Sequence, residues 1–209
     1  MAIRTRALAR ARVLVLAAVL PLAGGACSYS YDSIDDYYGR LKASPPDAAH
    51  TRVCHGFSCY YQTAVDNTLI LDVLREVMGA ADTADQERES IRLAIARVEQ
   101  VVGPLAGTSN DEGGLRRIRG WGEADQQDCI DETVNTTSYL LMAERNGLLR
   151  YHRVRAPVIR GSLLDFRWPH NTAVIEELAT STLWAVDSWV RDNGQPPQVI
   201  TLAQWMSVW

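Results

Sequence analysis

The spacing of apolar residues changes character along this chain, and that change bounds what it can fold into. Residues 68–78 carry Leu69, Leu71, Val73, Leu74 and Val77 on one helical face, ended by Gly79. Residues 85–102 repeat Ile91, Ile95, Val98 and Val102 at helical intervals, with Asp85 and Glu87 in the first turn and Gly103-Pro104 as the stop. A third helix opens near Cys129, with Asp128 as N-cap, Val134, Leu140 and Leu141 as a buried stripe and Gly147 as its end. Residues 171–176 and 183–190 are instead rich in Val, Ile, Trp and Thr and read as two antiparallel strands joined across Leu178-Ala179. A further strand is expected over residues 60–65, and His152 opens another. The pattern is that of an α+β fold, with a Cys-bearing helix packed on an antiparallel sheet.

The first 26 residues are an address rather than structure. Arg4, Arg6, Arg10 and Arg12 precede a charge-free apolar run, the signature of a secretory signal peptide, and the run is shorter than the roughly 20 residues a membrane span needs. Cleavage after Gly24-Gly25-Ala26 would leave Cys27 first, where it resembles the lipid-modified cysteine of bacterial lipoproteins, although Leu22 lies further upstream than in the usual motif. Export to the periplasm, with membrane anchoring through Cys27 as one option, is the expectation. Residues 27–50, rich in Tyr, Asp, Ser and Pro, read as a tether or a surface arm, leaving residues 51–209 as one domain.

Loss of the leader removes four of the 21 basic residues and none of the 25 acidic ones, so the remainder is strongly acidic. An acidic chain whose one basic concentration is Arg116-Arg117-Ile118-Arg119 is a poor partner for nucleic acid, since phosphate recognition needs clustered Lys and Arg.

Cysteine arithmetic isolates one thiol. With Cys27 set aside, Cys54, Cys59 and Cys129 remain; the first two flank His55-Gly56-Phe57-Ser58, whose glycine allows a tight turn, and an oxidising compartment favours a local Cys54–Cys59 disulfide. A metal site at Cys54 and Cys59 would need a second ligand pair that the sequence lacks. The loop at residues 107–122 lacks the spacing of an EF-hand. No metal or cofactor is therefore expected. Cys129 stays free, at a helix start whose N–H groups favour a thiolate, while Asp128, Asp131 and Glu132 oppose one.

Downstream of Cys129 lie His170 and Asp187. A symmetric hairpin about Leu178-Ala179 puts these two directly opposite on one face, close enough for the carboxylate to orient the imidazole. Cys129, His170 and Asp187 in that order compose a candidate nucleophile, base and orienting group. Taken singly, each has a plainer structural explanation: packing for the cysteine, a turn cap for the histidine, a backbone hydrogen bond for the aspartate. His152 is the best substitute base, and Glu176 and Glu177 read as a solvated hairpin edge.

Asp128-Cys129-Ile130-Asp131 at a helix start, a histidine opening a strand and Val186-Asp187-Ser188 on the next resemble bacterial transglutaminase-like cysteine peptidases over about residues 124–189, with Ile130 where an acid is common. The resemblance implies a papain-like fold and amide-bond cleavage of a protein or peptide substrate through an acyl-enzyme, with transamidation as a variant. The Cys129 N–H and a side chain from Gln126, Gln127 or Trp121 are the candidate oxyanion donors. The rival expectation is a non-catalytic envelope lipoprotein that keeps the fold and binds a protein partner.

Overall fold

A computed structural model describes residues 28–79, 81–116, 123–161 and 168–207. In chain order the elements are β1 (Ser28–Ser30), α1 (Ile34–Leu41), β2 (His50–His55), β3 (Tyr61–Asp66), α2 (Asn67–Val77), α3 (Ala84–Ala106), α4 (Cys129–Arg145), β4 (His152–Arg160), β5 (His170–Glu177), β6 (Leu183–Asp187), β7 (Gln198–Thr201) and α5 (Leu202–Ser207). The fold is α+β. A five-stranded antiparallel sheet of order β1-β4-β5-β6-β7 carries the helices, and β2 and β3 form a separate hairpin. No helix among the described residues is long and apolar enough to cross a membrane.

Helix α4 is the axis of the molecule. Every residue from Asp131 to Ala143 is buried, including Thr133, Asn135, Thr136, Thr137 and Ser138. A helix enclosed on all sides has no solvent face on which to segregate polar residues, so an amphipathic stripe is weak here. Its buried polar groups bond instead to neighbouring elements: Asn135 donates to the Cys54 carbonyl at 2.9 Å and accepts the Cys54 N–H at 2.7 Å, which ties β2 to α4.

The segment at residues 28–50 departs from a tether. β1 pairs with β4, Ser33 caps α1 by accepting the Asp36 N–H, and Tyr37 and Tyr38 are fully buried. The Tyr38 hydroxyl lies 2.7 Å from Ser138 Oγ, and Arg145 donates to the Pro46 carbonyl at 2.8 Å. Two large aromatic side chains bury too much apolar area for this arm to hang free.

Helix α3 also runs past the expected stop, through Gly103 and Pro104 to Ala106. Proline deletes one N–H near the end of the helix, and the helix closes on Gly107, whose left-handed φ of 81° is a conformation glycine adopts without a Cβ clash. The strand expected over residues 60–65 is β3, and it pairs residue for residue with β2, which the sequence did not mark, from His50↔Asp66 to His55↔Tyr61.

Candidate active site

The register of β5 and β6 corrects the sequence expectation. Ala173 pairs with Val186 and Glu176 with Leu183, and this register continues to set Thr172, not His170, across from Asp187. The connection is centred between Ala179 and Thr180, because Glu177 N–H bonds to the Thr182 carbonyl and Ser181 sits in the left-handed region at φ 56°. The error is two residues, so parity survives: His170 and Asp187 share a face as diagonal neighbours, which long side chains can bridge. They do, with His170 Nε2 to Asp187 Oδ2 at 2.6 Å.

Asp187 Oδ2 has a second donor, the Trp205 indole N–H from α5, at 2.7 Å. The His170 ring packs against Trp189, with centroids 4.5 Å apart, and against Trp205, at 5.3 Å. With Nε2 engaged by the carboxylate, Nδ1 is the nitrogen left with a lone pair, and it is buried with no hydrogen-bond partner among the described residues.

Cys129 is a free, buried thiol, 7% exposed, at the first position of α4. Its sulfur lies 4.0 Å from the Pro169 carbonyl oxygen and 3.8 Å from Asn171 Nδ2, so both sequence neighbours of His170 touch it. Burial and the Asp128 carboxylate push the thiol up to about 12, against the pull of hydrogen bonds from Asn171. The helix start therefore does not by itself yield a resting thiolate.

The turn that presents Cys129 is built around two carboxylates. Asp128 Oδ1 accepts the N–H groups of Ile130 and Asp131, while the Asp131 carboxylate accepts that of Asp128, closing a capping box. The loop between Cys54 and Cys59 adds donors from outside: Phe57 N–H to Asp131 at 2.8 Å, Cys59 N–H to Asp131 at 2.6 Å and Ser58 N–H to Asp128 at 3.0 Å. The two cysteines form a disulfide. Their sulfurs and an Asp131 oxygen converge within 4.8 Å, yet the sulfurs are joined to each other and the Asp131 oxygens accept N–H groups, so the cluster serves the loop rather than a metal.

Behind the site, Glu132 accepts the Ser188 hydroxyl at 2.6 Å, and Ser188 meets Thr136 Oγ1 at 2.8 Å. This joins the helix that carries Cys129 to the residue after Asp187. Burial is the main cause that raises the Glu132 carboxyl to about 7 and that of nearby Asp111 to about 9.

The other expected residues fall as follows. Gln126 is engaged at both ends of its amide, donating to the Asn110 carbonyl and accepting the Glu112 N–H, and Gln127 donates to the Cys54 carbonyl. Trp121, Cys27 and the leader lie outside the described residues. Trp168 is 44% exposed beside Pro169. His152 is buried against Glu87 at 2.8 Å and sits at the far end of β4, opposite Glu177, whereas His170 pairs with Arg160. That separation is eight strand residues, roughly 25 Å, which removes it as a substitute base. Glu176 and Glu177 are not a solvated edge: β5 is internal, and they pair with Arg153 and Arg88. A hollow lined by Arg88, Arg92, Trp184 and Arg191 contains none of the three candidate residues. Sequence reasoning gives Asn171 and Trp205 no role, names Ser188 only within Val186-Asp187-Ser188, and names Glu132 only as a charge opposing the thiolate. Of the first two, only Asn171 carried a signal, its adjacency to His170.

No family model, curated protein or solved structure matches this chain.

Proposed function

We propose that this chain is a thiol-dependent hydrolase that cleaves an amide bond in a protein or peptide, on a papain-like, transglutaminase-like variant of the α+β fold. The observation that carries this reading is the orientation of His170: Nε2 is held by Asp187 while Nδ1 has no partner among the described residues, and the residues on either side of the ring touch the Cys129 sulfur.

With the thiol neutral at rest, attack and deprotonation go together. His170 Nδ1 takes the Cys129 proton as sulfur adds to the substrate carbonyl carbon, and Asp187 stabilises the imidazolium that forms. The Cys129 N–H is the candidate oxyanion donor, since the Asp128 cap takes the N–H groups of Ile130 and Asp131. The imidazolium then protonates the leaving amine. Water, activated by the same nitrogen, resolves the thioester; an amine in its place would give transamidation. The arginine-led apolar leader and Cys27 support action in a bacterial envelope, with a lipid anchor if Cys27 is modified.

The burial and raised pKa of Cys129 favour a second reading, a partner-binding protein with an inert thiol. Iodoacetamide labelling mapped by peptide mass spectrometry separates the two. The hydrolase reading expects alkylation of Cys129 near neutral pH to be assisted by His170 as base and to slow in His170→Ala; labelling that is indifferent to His170 selects the partner-binding protein.

A further inference from the structure

Gly56, Phe57, Ser58 and Cys59 have φ values of 76°, 69°, 57° and 54°, four successive residues in the left-handed region of which only the first is glycine. L-residues with a Cβ avoid this region, and a run of them needs outside support. The support is identifiable. Each N–H of the run is satisfied from beyond the loop: Gly56 by the Gln126 carbonyl at 2.8 Å, Phe57 and Cys59 by Asp131, and Ser58 by Asp128. The Ser58 hydroxyl adds a bond to Asp128, and the disulfide to Cys54 closes the ring. The acceptors are the N-cap of α4 and its third residue, so the loop holds the turn on which Cys129 stands.

We propose that the Cys54–Cys59 disulfide is a redox latch for this turn, so that the chain presents Cys129 productively when the latch is oxidised and loses that presentation when it is reduced. The proposal rests on the hydrolase reading and concerns the regulation of the same site. In the step, an external dithiol attacks Cys54–Cys59, the S–S bond breaks to two thiols, and the dithiol is oxidised to its own disulfide, with two electrons and two protons transferred. Without covalent closure, Phe57, Ser58 and Cys59 relax toward ordinary φ and withdraw their N–H groups from Asp128 and Asp131. Asp131 is fully buried, so a carboxylate stripped of two of its three N–H donors drives the first turn of α4 to rearrange. The unusual outcome is a thiol enzyme switched off by the reductants that ordinarily keep such enzymes active.

The test uses the purified full chain in three forms: oxidised, reduced with dithiothreitol and then freed of it, and Cys54→Ser/Cys59→Ser. Amide exchange is followed at residues 57–59 and 130–131, and iodoacetamide labelling at Cys129. Expected are faster exchange in both windows on reduction, a fall of about tenfold or more in His170-dependent labelling, and recovery on reoxidation. Ser58→Gly, which relieves one left-handed residue, should retain more protection than wild type once reduced, and it keeps the disulfide, so it serves if the double variant fails to fold. Unchanged exchange and labelling after reduction, with His170-dependent labelling intact, overturn the latch alone. Oxidised protein whose Cys129 labelling ignores His170 overturns the hydrolase reading, and the latch as its regulator with it.

Discussion

Asp187 Oδ2 accepts from two rings, and that shared oxygen fixes the geometry of the His170 imidazole. Trp205 N–H and His170 Nε2 meet there at 2.7 and 2.6 Å, and the indole also covers the imidazole face. Trp205→Phe keeps most of the cover and deletes one hydrogen bond to a charged acceptor, a loss of about 1.5–3 kcal/mol, or roughly 10–100-fold in His170-dependent labelling of Cys129. An unchanged labelling rate would show that Asp187 holds the ring unaided. Gln126→Ala makes the opposite kind of prediction. Its amide joins the backbone at Asn110 and Glu112, so its removal should cost about 1–2 kcal/mol in urea denaturation while lowering amide hydrolysis by well under the 100-fold or more expected for an oxyanion donor. Cys129, His170 and Asp187 could be singled out from the sequence because order, helix position and strand parity are local properties. Trp205 could not, because its contact with Asp187 is made by tertiary packing, and nothing at residues 202–207 marks one indole N–H for a carboxylate.

Among the elements, α4 and β6 are joined where catalysis would need them fixed. Glu132 lies one turn from Cys129, and Ser188 follows Asp187, so their 2.6 Å hydrogen bond ties the start of α4 to the end of β6. Burial raises Glu132 from 4.5 to about 7, with repulsion from Asp187 and Asp128 adding to it, and raises Asp111 from 3.8 to about 9, with repulsion from Glu132 adding to it. A carboxyl whose folded pKa exceeds its unfolded one stabilises the fold fully below the unfolded value, and the contribution is lost as pH rises through the folded value. Stability should therefore fall between about pH 4.5 and 9. Glu132→Gln, which keeps an acceptor for Ser188, should remove up to about 3 kcal/mol of that slope, read from urea midpoints across the range. A slope identical to wild type would mean that Glu132 does not change its protonation there. Element identity was legible where apolar period met a cap at Asp128 or an acidic first turn at Asp85 and Glu87, whereas the caps Asp66 and Thr83 emerge only from the structure. The β5–β6 register was not, since it turns on Ser181 adopting a positive φ, and the α3 stop was misjudged because proline in a last turn costs a helix little.

At the scale of the molecule, the arm at residues 28–50 belongs to the domain. Tyr38 reaches α4 through Ser138, so Tyr38→Phe should cost about 1 kcal/mol and Tyr38→Ala about 3–5 kcal/mol, the latter lowering the melting temperature by several degrees. Equal melting temperatures for the two variants would return this segment to the status of a tether. The arm was hard to read because its burial is carried by Tyr37 and Tyr38 within a stretch of polar residues. Its first strand has a second consequence. β4 is nine residues long and β1 covers only its Val158–Arg160 end. Along the rest, the chain places Arg153 and Arg155 outward, an irregular step between Arg155 and Val158, and Pro157, which has no N–H to offer. A long edge strand left bare would be a template for another chain; this one is capped at one end and made unpairable along the remainder. On this side, the sheet that holds His170 is thereby kept from recruiting a strand of another copy, and the protein can be held at high concentration without joining through β4.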